Sequence, residues 1–224
     1  MGRPSGRTKE QTRARIVDSA LRCFGAHGYG GATNRMIADG AGLTTGALYR
    51  HFTTKHDLYT AVFTEVNEKV YYRLSVAVAG TGSLREAVLA VSRVARTLHT
   101  ENPLMASFLA NVNMDMYHYP ELVSIRHIPR APTADSFGPV DLMEQAAPAA
   151  PQQHVSGYTE AMWSIVVGGA HFAIHSGTPD KFAALMKDVE SAVEYSAAQV
   201  RKAGTAVAGL DYPVSGALEN AAGS

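Results

Sequence analysis

Cysteine, tryptophan and net charge are all scarce in this chain, and each shortage excludes something. A lone Cys23 in 224 residues has no partner for an intramolecular disulfide, so the fold must rest on packing rather than covalent staples. Cys23 falls beside Phe24 and close to Leu21, which reads as a small buried apolar residue rather than a redox sensor. No stretch approaches the ~20 consecutive apolar residues of a membrane span. The opening MGRPSGRTKE has no apolar run of the kind a secretory leader needs, so a cytoplasmic chain with no membrane contact is expected. Also missing are a Gly-rich phosphate loop, a G-x-S-x-G elbow and a paired-carboxylate signature. No enzyme is expected, and no cofactor. His171 and His175 have the i, i+4 spacing of a metal clamp, but no third ligand is apparent nearby, and no metal is expected.

Zero net charge conceals an uneven distribution. Residues 1–60 hold nine Lys/Arg (Arg3, Arg7, Lys9, Arg13, Arg15, Arg22, Arg35, Arg50, Lys55) against four acids (Glu10, Asp18, Asp39, Asp57), a net of +5. The whole chain has twenty of each sign, so the remainder carries −5. Phosphate neutralisation needs local positive charge rather than a basic whole, which suits a basic head on a mildly acidic body.

Thr33 to Lys55, TNRMIADGAGLTTGALYRHFTTK, compresses two short helix signals around one Ala-Gly turn. Thr33 is placed to cap the first helix, and Ile37 and Ala38 give it an apolar face. Gly42 sits where a sharp turn needs positive φ, and Ala38 is small enough to let a second helix approach. Thr44 is placed to cap that second helix. Leu48 and Phe52 then share one face, while Thr45, Gly46, Tyr49 and Arg50 fall on the other. One face packs and the other reads: the pattern is a helix-turn-helix.

From about Ile16 to Phe63 the sequence resembles the DNA-binding signature of the tetracycline-repressor (TetR) family. The resemblance rests on His27-Gly28-Tyr29, Ile37-Ala38, Ala41-Gly42-Leu43, Gly46-Ala47-Leu48-Tyr49-Arg50-His51-Phe52 and Lys55. It implies an all-α fold: an N-terminal three-helix helix-turn-helix DNA-binding domain, then a C-terminal helical ligand-binding and dimerisation domain. A short recognition helix offers its N-terminal residues to base edges, which puts Thr45, Gly46 and Ala47 in the groove. Arg50 follows one turn on, able either to fork onto guanine or to hold a phosphate. The resemblance implies phosphate contacts for Tyr49, His51 and Lys55, with Thr33 and Thr44 adding hydroxyl or capped-amide contacts.

The expected domains are a flexible arm at 1–8, the DNA-binding domain at 9–55, a ligand-binding and dimerisation domain at 56–203 and a flexible tail at 204–224. Ile16, Val17, Ala20, Leu21 and Phe24 form the stripe of a first helix. Thr54-Lys55-His56-Asp57 resembles a capping box opening a long helix through Leu58, Val62, Val66 and Val70. Ser83 begins another, and Pro103 suits the first turn of the next, running through Met116. Four prolines between Pro120 and Pro151 leave room only for a short helix at 140–147, a departure from the regular seventh helix of that family. The arm Gly2-Arg3-Pro4 with Arg7 is read either as a minor-groove contact or as a solvated tail.

Two C-terminal helices are expected, 155–176 and 179–202. The first is apolar nearly all round and needs cover on both sides; pairing with a second copy into a four-helix bundle supplies it, with Gly168-Gly169 at the crossing. Methionine and aromatic side chains are dense between residues 100 and 176. They suggest a mostly hydrophobic small-molecule effector, bound by Met105, Phe108, Asn111, Met114, Tyr117, Met162, Trp163 and His171. Asn113, Asp115 and His118 are further polar candidates. The combined reading is a homodimeric regulator, a repressor released from double-stranded operator DNA by that effector. The competing reading is an architectural or ligand-independent DNA-binding dimer.

Overall fold

The computed structural model of the chain describes residues 8–127, 168–169 and 179–203, where all regular structure is helical. The expected arm, the short helix at 140–147, most of the helix at 155–176 and the tail lie outside the described residues, as do Met162, Trp163, His171 and His175. Helices follow in the order α1 (Lys9–Gly31), α2 (Asn34–Gly40), α3 (Thr45–Tyr49), α4 (Lys55–Ala79), α5 (Leu84–Glu101) and α6 (Pro103–His118). A 3-10 helix, Pro120–His127, and a final helix α7 (Pro179–Ala203) complete the described elements.

Local sequence rules set most of these starts. Thr8 opens α1 with a full capping box, its hydroxyl accepting from the Gln11 N–H and the Gln11 side chain accepting from the Thr8 N–H. Thr54 and Asp57 exchange the same reciprocal pair at the start of α4, each bond 3.0 Å long. Ser83 caps α5 through the Glu86 N–H. Along α1, Ile16, Val17, Ala20 and Phe24 are buried while Leu21 sits at the half-buried edge. Cys23 is only partly buried, a correction to its reading as a core residue, because it lies off the apolar stripe. Its partial burial still raises the thiol pKa.

The chain forms two compact units. In the first, residues 8–66 with 104–127, the core is an aromatic cluster. The Phe24 ring lies 4.9 Å from that of Tyr59 and 6.2 Å from that of Tyr29, and Phe108 lies 5.1 Å from Tyr59. Leu122 and Ile125 of the 3-10 helix are buried as well. This unit therefore reaches past the expected boundary at 55, taking in α4 as far as Val66 and nearly all of α6. The aromatic face of α1 needs more cover than a two-turn helix pair can supply.

In the second unit, residues 67–103 with 168–169 and 179–203, α5 packs on α7. The His99 ring sits 4.6 Å from Phe182, and Arg96 Nε lies 3.4 Å from Glu190 Oε1. On α7, Phe182 and Met186 are buried while Lys187 and Asp188 are exposed, as the amphipathic pattern requires. Gly169 meets α7 of its own chain: a Cβ there would lie 2.6 Å from Leu185 Cδ2. Its small size is thus used within the chain. Among the described residues no helix is long and apolar enough to cross a membrane.

Candidate nucleic-acid interface

The short helices α2 and α3 pack on one another, and α1 packs on α2. Thr33 caps α2 by accepting from the Met36 N–H, and Thr44 caps α3 by accepting from the Ala47 N–H, both at 3.2 Å. Between them Gly42 has φ +63°, in the left-handed region that favours glycine, and its N–H reaches Asp39 O at 2.9 Å. Leu48 and Phe52 are buried. Two side chains of α1 brace the turn: Ser19 Oγ donates to Ile37 O at 2.9 Å, and the Arg15 guanidinium donates to Ala41 O.

What remains outside is a polar face. Thr33, Thr44, Gly46, Tyr49 and Arg50 are exposed, and Thr45, Ala47, His51 and Lys55 are half-buried. Among the described residues, a Cβ at Gly46 would meet open space. Asn34 Nδ2 donates to Tyr49 Oη at 2.8 Å. All nine residues expected at the DNA face are thus exposed or half-buried between Thr33 and Lys55.

The basic charge of the head is partly spent internally. The Arg15 guanidinium is engaged at Ala41 O, the Arg13 guanidinium lies 5.2 Å from the Phe52 ring centroid, and Arg22 pairs with Asp18. Lys55 Nζ donates to Tyr29 O at 2.8 Å and Ala32 O at 3.3 Å, and sits 4.3 Å from the Tyr29 ring centroid. An ammonium has three protons, so one stays available. Burial lowers the Lys55 pKa, opposed by the charges of Asp115 and Glu121.

Behind that lysine lies a buried polar network that the sequence reading did not find. Gly28 adopts φ +65° and ψ −179°, essentially closed to residues bearing a Cβ, and breaks the regular run of α1. The break frees the Tyr29 N–H, which donates to Asp115 Oδ1 at 2.9 Å; Tyr59 Oη donates to Asp115 Oδ2 at 2.9 Å. Burial raises the Asp115 pKa, opposed by those two hydrogen bonds and by the charges of His118 and Lys55. The Tyr59 phenol is likewise pushed far up, by burial first and then by Asp115. The only hint in the sequence was Asp115 itself, the one acidic residue of α6.

Of the residues expected to hold an effector, the five described ones all lie on α6, some buried and some exposed. Phe108 is wholly buried in the aromatic cluster, and Asn111 donates to Gly25 O at 3.2 Å. Both serve the packing of α6 onto α1 and α4. Met105 is buried, whereas Met114 and Tyr117 stand on the outside of α6, the latter 80% exposed. Among the described residues no group of three His, Cys, Asp or Glu gathers as a metal site.

A capped, glycine-turned helix pair carrying an exposed polar face defines an all-helical protein of the helix-turn-helix class. Residues 16–62 match the profile of bacterial regulatory proteins, tetR family. The resemblance to that family is thus carried by the head, from α1 into α4. The chain is 38% identical over 61 residues to the HTH-type transcriptional repressor AcnR of Corynebacterium glutamicum, covering 27% of this chain and 32% of that one. To the HTH-type transcriptional regulator SrpR of Pseudomonas putida it is 45% identical over 62 residues, 28% of this chain and 29% of that one. The matches thus span about a third of the length of these curated relatives.

Solved structures extend the likeness of fold. A TetR transcriptional regulator from Chloroflexus aurantiacus superposes with a TM-score of 0.64 at 22% identity, covering 83% of this chain and 95% of its own. The transcriptional regulator FadR from Bacillus subtilis, in complex with stearoyl-CoA, does so with 0.60 at 14% identity, covering 80% and 96%.

Proposed function

We propose that this protein is a ligand-responsive transcriptional regulator that binds double-stranded operator DNA as a homodimer. In this reading it is a repressor released by a mostly hydrophobic small molecule. The observation that carries the DNA half is the outward face of α3, where exposed Gly46, Tyr49 and Arg50 flank half-buried Thr45 and Ala47 in a head of net charge +5. Thr45, Gly46 and Ala47 face base edges, and Arg50 takes guanine or a phosphate. Tyr49, His51 and the remaining Lys55 proton engage phosphates, joined by the capped ends of α2 and α3 at Thr33 and Thr44.

The effector half draws on a likeness of fold. The structural relative FadR of Bacillus subtilis is described with stearoyl-CoA, an acyl chain on a polar carrier. A soft apolar wall suits such a molecule. Met105, Met114, Tyr117, Met162, Trp163 and His171 remain the proposed contacts, whereas Phe108 and Asn111 are committed to the head. The two C-terminal helices form the proposed dimer interface, and α4, which is common to both compact units, links effector to reader.

Selection of bound duplexes from genomic DNA, followed by a ligand screen for release, tests the whole reading. Reciprocal titrations then test the coupling: operator DNA must weaken effector binding by the same factor that effector weakens operator binding, roughly 5- to 150-fold. Equal effector affinity with and without operator DNA would leave only a ligand-independent DNA binder.

A further inference from the structure

Asn34 is the first residue of α2, directly after the Thr33 cap, and belongs to no part of the DNA-reading face assigned so far. Its amide Nδ2 donates to Tyr49 Oη at 2.8 Å, bridging the two helices of the motif. Its Oδ1 is buried and has no hydrogen-bond partner. Leaving an amide oxygen dry is unfavourable, so an apolar residue of similar size would suit folding better there. The amide therefore calls for an explanation beyond stability.

The chemistry of the phenol supplies one. A phenol oxygen both accepts and donates. When it accepts from the Asn34 amide, its own proton is left for another acceptor, and Tyr49 as a whole is about half exposed. Hydrogen bonds in sequence polarise one another, so the phenol O–H becomes the better donor to an anion. We infer that Asn34 is a positioning residue that holds Tyr49 as an outward hydrogen-bond donor to a DNA phosphate oxygen. This rests on the proposed DNA-binding reading, in which Tyr49 meets the backbone.

The test measures affinity of the full chain for a duplex recovered from a random-sequence pool, across a salt series, with the urea midpoint followed in parallel. Tyr49→Phe removes the donor and Asn34→Ala removes its orientation. Each should weaken binding by roughly three- to tenfold on every sequence, the scale of one hydrogen bond. The salt slope should not change, since no charge is removed. In the double variant the second substitution should add nothing. Asn34→Asp should bind more weakly than Asn34→Ala, because its carboxylate pulls the phenol proton inward and adds negative charge near the phosphate. Folding midpoints should not fall in Asn34→Ala, which separates orientation from a merely structural role.

Additive losses in the double variant would overturn the inference. So would Asn34→Ala that binds like the parent while Tyr49→Phe binds weakly, or Asn34→Asp that binds normally. A chain that selects no duplex at all would instead remove the parent reading, and this inference with it.

Discussion

Lys55 Nζ lies 2.8 Å from the carbonyl oxygen of Tyr29 and 4.3 Å from the centroid of its ring, so one ammonium grips both the backbone and the side chain of one residue. With its second bond, to Ala32 O, it satisfies two carbonyls at the C-terminal end of α1, where the helix dipole also favours positive charge. A residue expected to touch DNA is thus also a clamp between α4 and α1.

Lys55→Ala should therefore lower the unfolding free energy by about 1–2 kcal/mol, from a lost charged hydrogen bond and a lost cation–π contact. If its third proton also reaches a phosphate, the slope of log affinity against log salt falls by about one. Urea titration reads the first effect and DNA binding over a salt series the second. An unchanged urea midpoint would show the clamp to be without consequence.

Gly28→Ala should cost about 1–3 kcal/mol, because the residue must hold φ +65° with ψ near 180°. Its Cβ would also stand 3.1 Å from Asp115 Oδ1, crowding the acceptor of the Tyr29 N–H. Thermal unfolding of the variant, compared with an alanine at exposed Gly46, isolates the strain from ordinary loss of glycine.

Gly46→Ala should divide stability from function. The site is open and helical, so alanine should leave stability unchanged or raise it by up to about 1 kcal/mol. If the α3 backbone approaches a base edge, the same methyl should weaken specific DNA binding by about fivefold or more, the scale of one lost base contact. Normal affinity in a fully folded variant would move the groove contact elsewhere.

Asp115 makes stability depend on pH in a definite direction. Burial raises its pKa above the ordinary 3.8, so across the window from 3.8 up to the raised value the folded state holds the proton more often than the unfolded chain does. Its contribution is fully present below 3.8 and is lost as pH rises through the folded pKa. The unfolding free energy of the parent minus that of Asp115→Asn should accordingly fall with rising pH over that window. A difference that climbs would show that the carboxylate form is the one the fold prefers, and a flat one that the fold prefers neither form.

Phe108→Ala should cost about 3–5 kcal/mol, as expected for emptying a wholly buried aromatic site. The defect should appear as loss of folding with or without effector, measured by urea titration. A stable variant that merely failed to respond to effector would return Phe108 to the ligand wall.

Much of the helical architecture was legible without coordinates. Thr8 aside, the caps at Thr33, Thr44, Thr54 and Ser83 and the turn at Gly42 were read from residue types at short spacing, and each forms as expected. Capping is decided by groups three residues apart, so local sequence suffices. The two-faced pattern of the helix-turn-helix was legible for the same reason: a helical period of 3.6 determines which residues share a side. The chain partners of these residues were a different matter. An apolar face on α6 looks the same in sequence whether it lines a cavity or covers a neighbouring helix, and only the fold shows Phe108 and Asn111 turned toward the head. Lys55, Arg15, Asn34 and Asp115 find carbonyls, amides and phenols from 15 to 86 positions away. Such pairings depend on how rigid helices stack in space, and no periodicity along the chain encodes which donor will meet which acceptor.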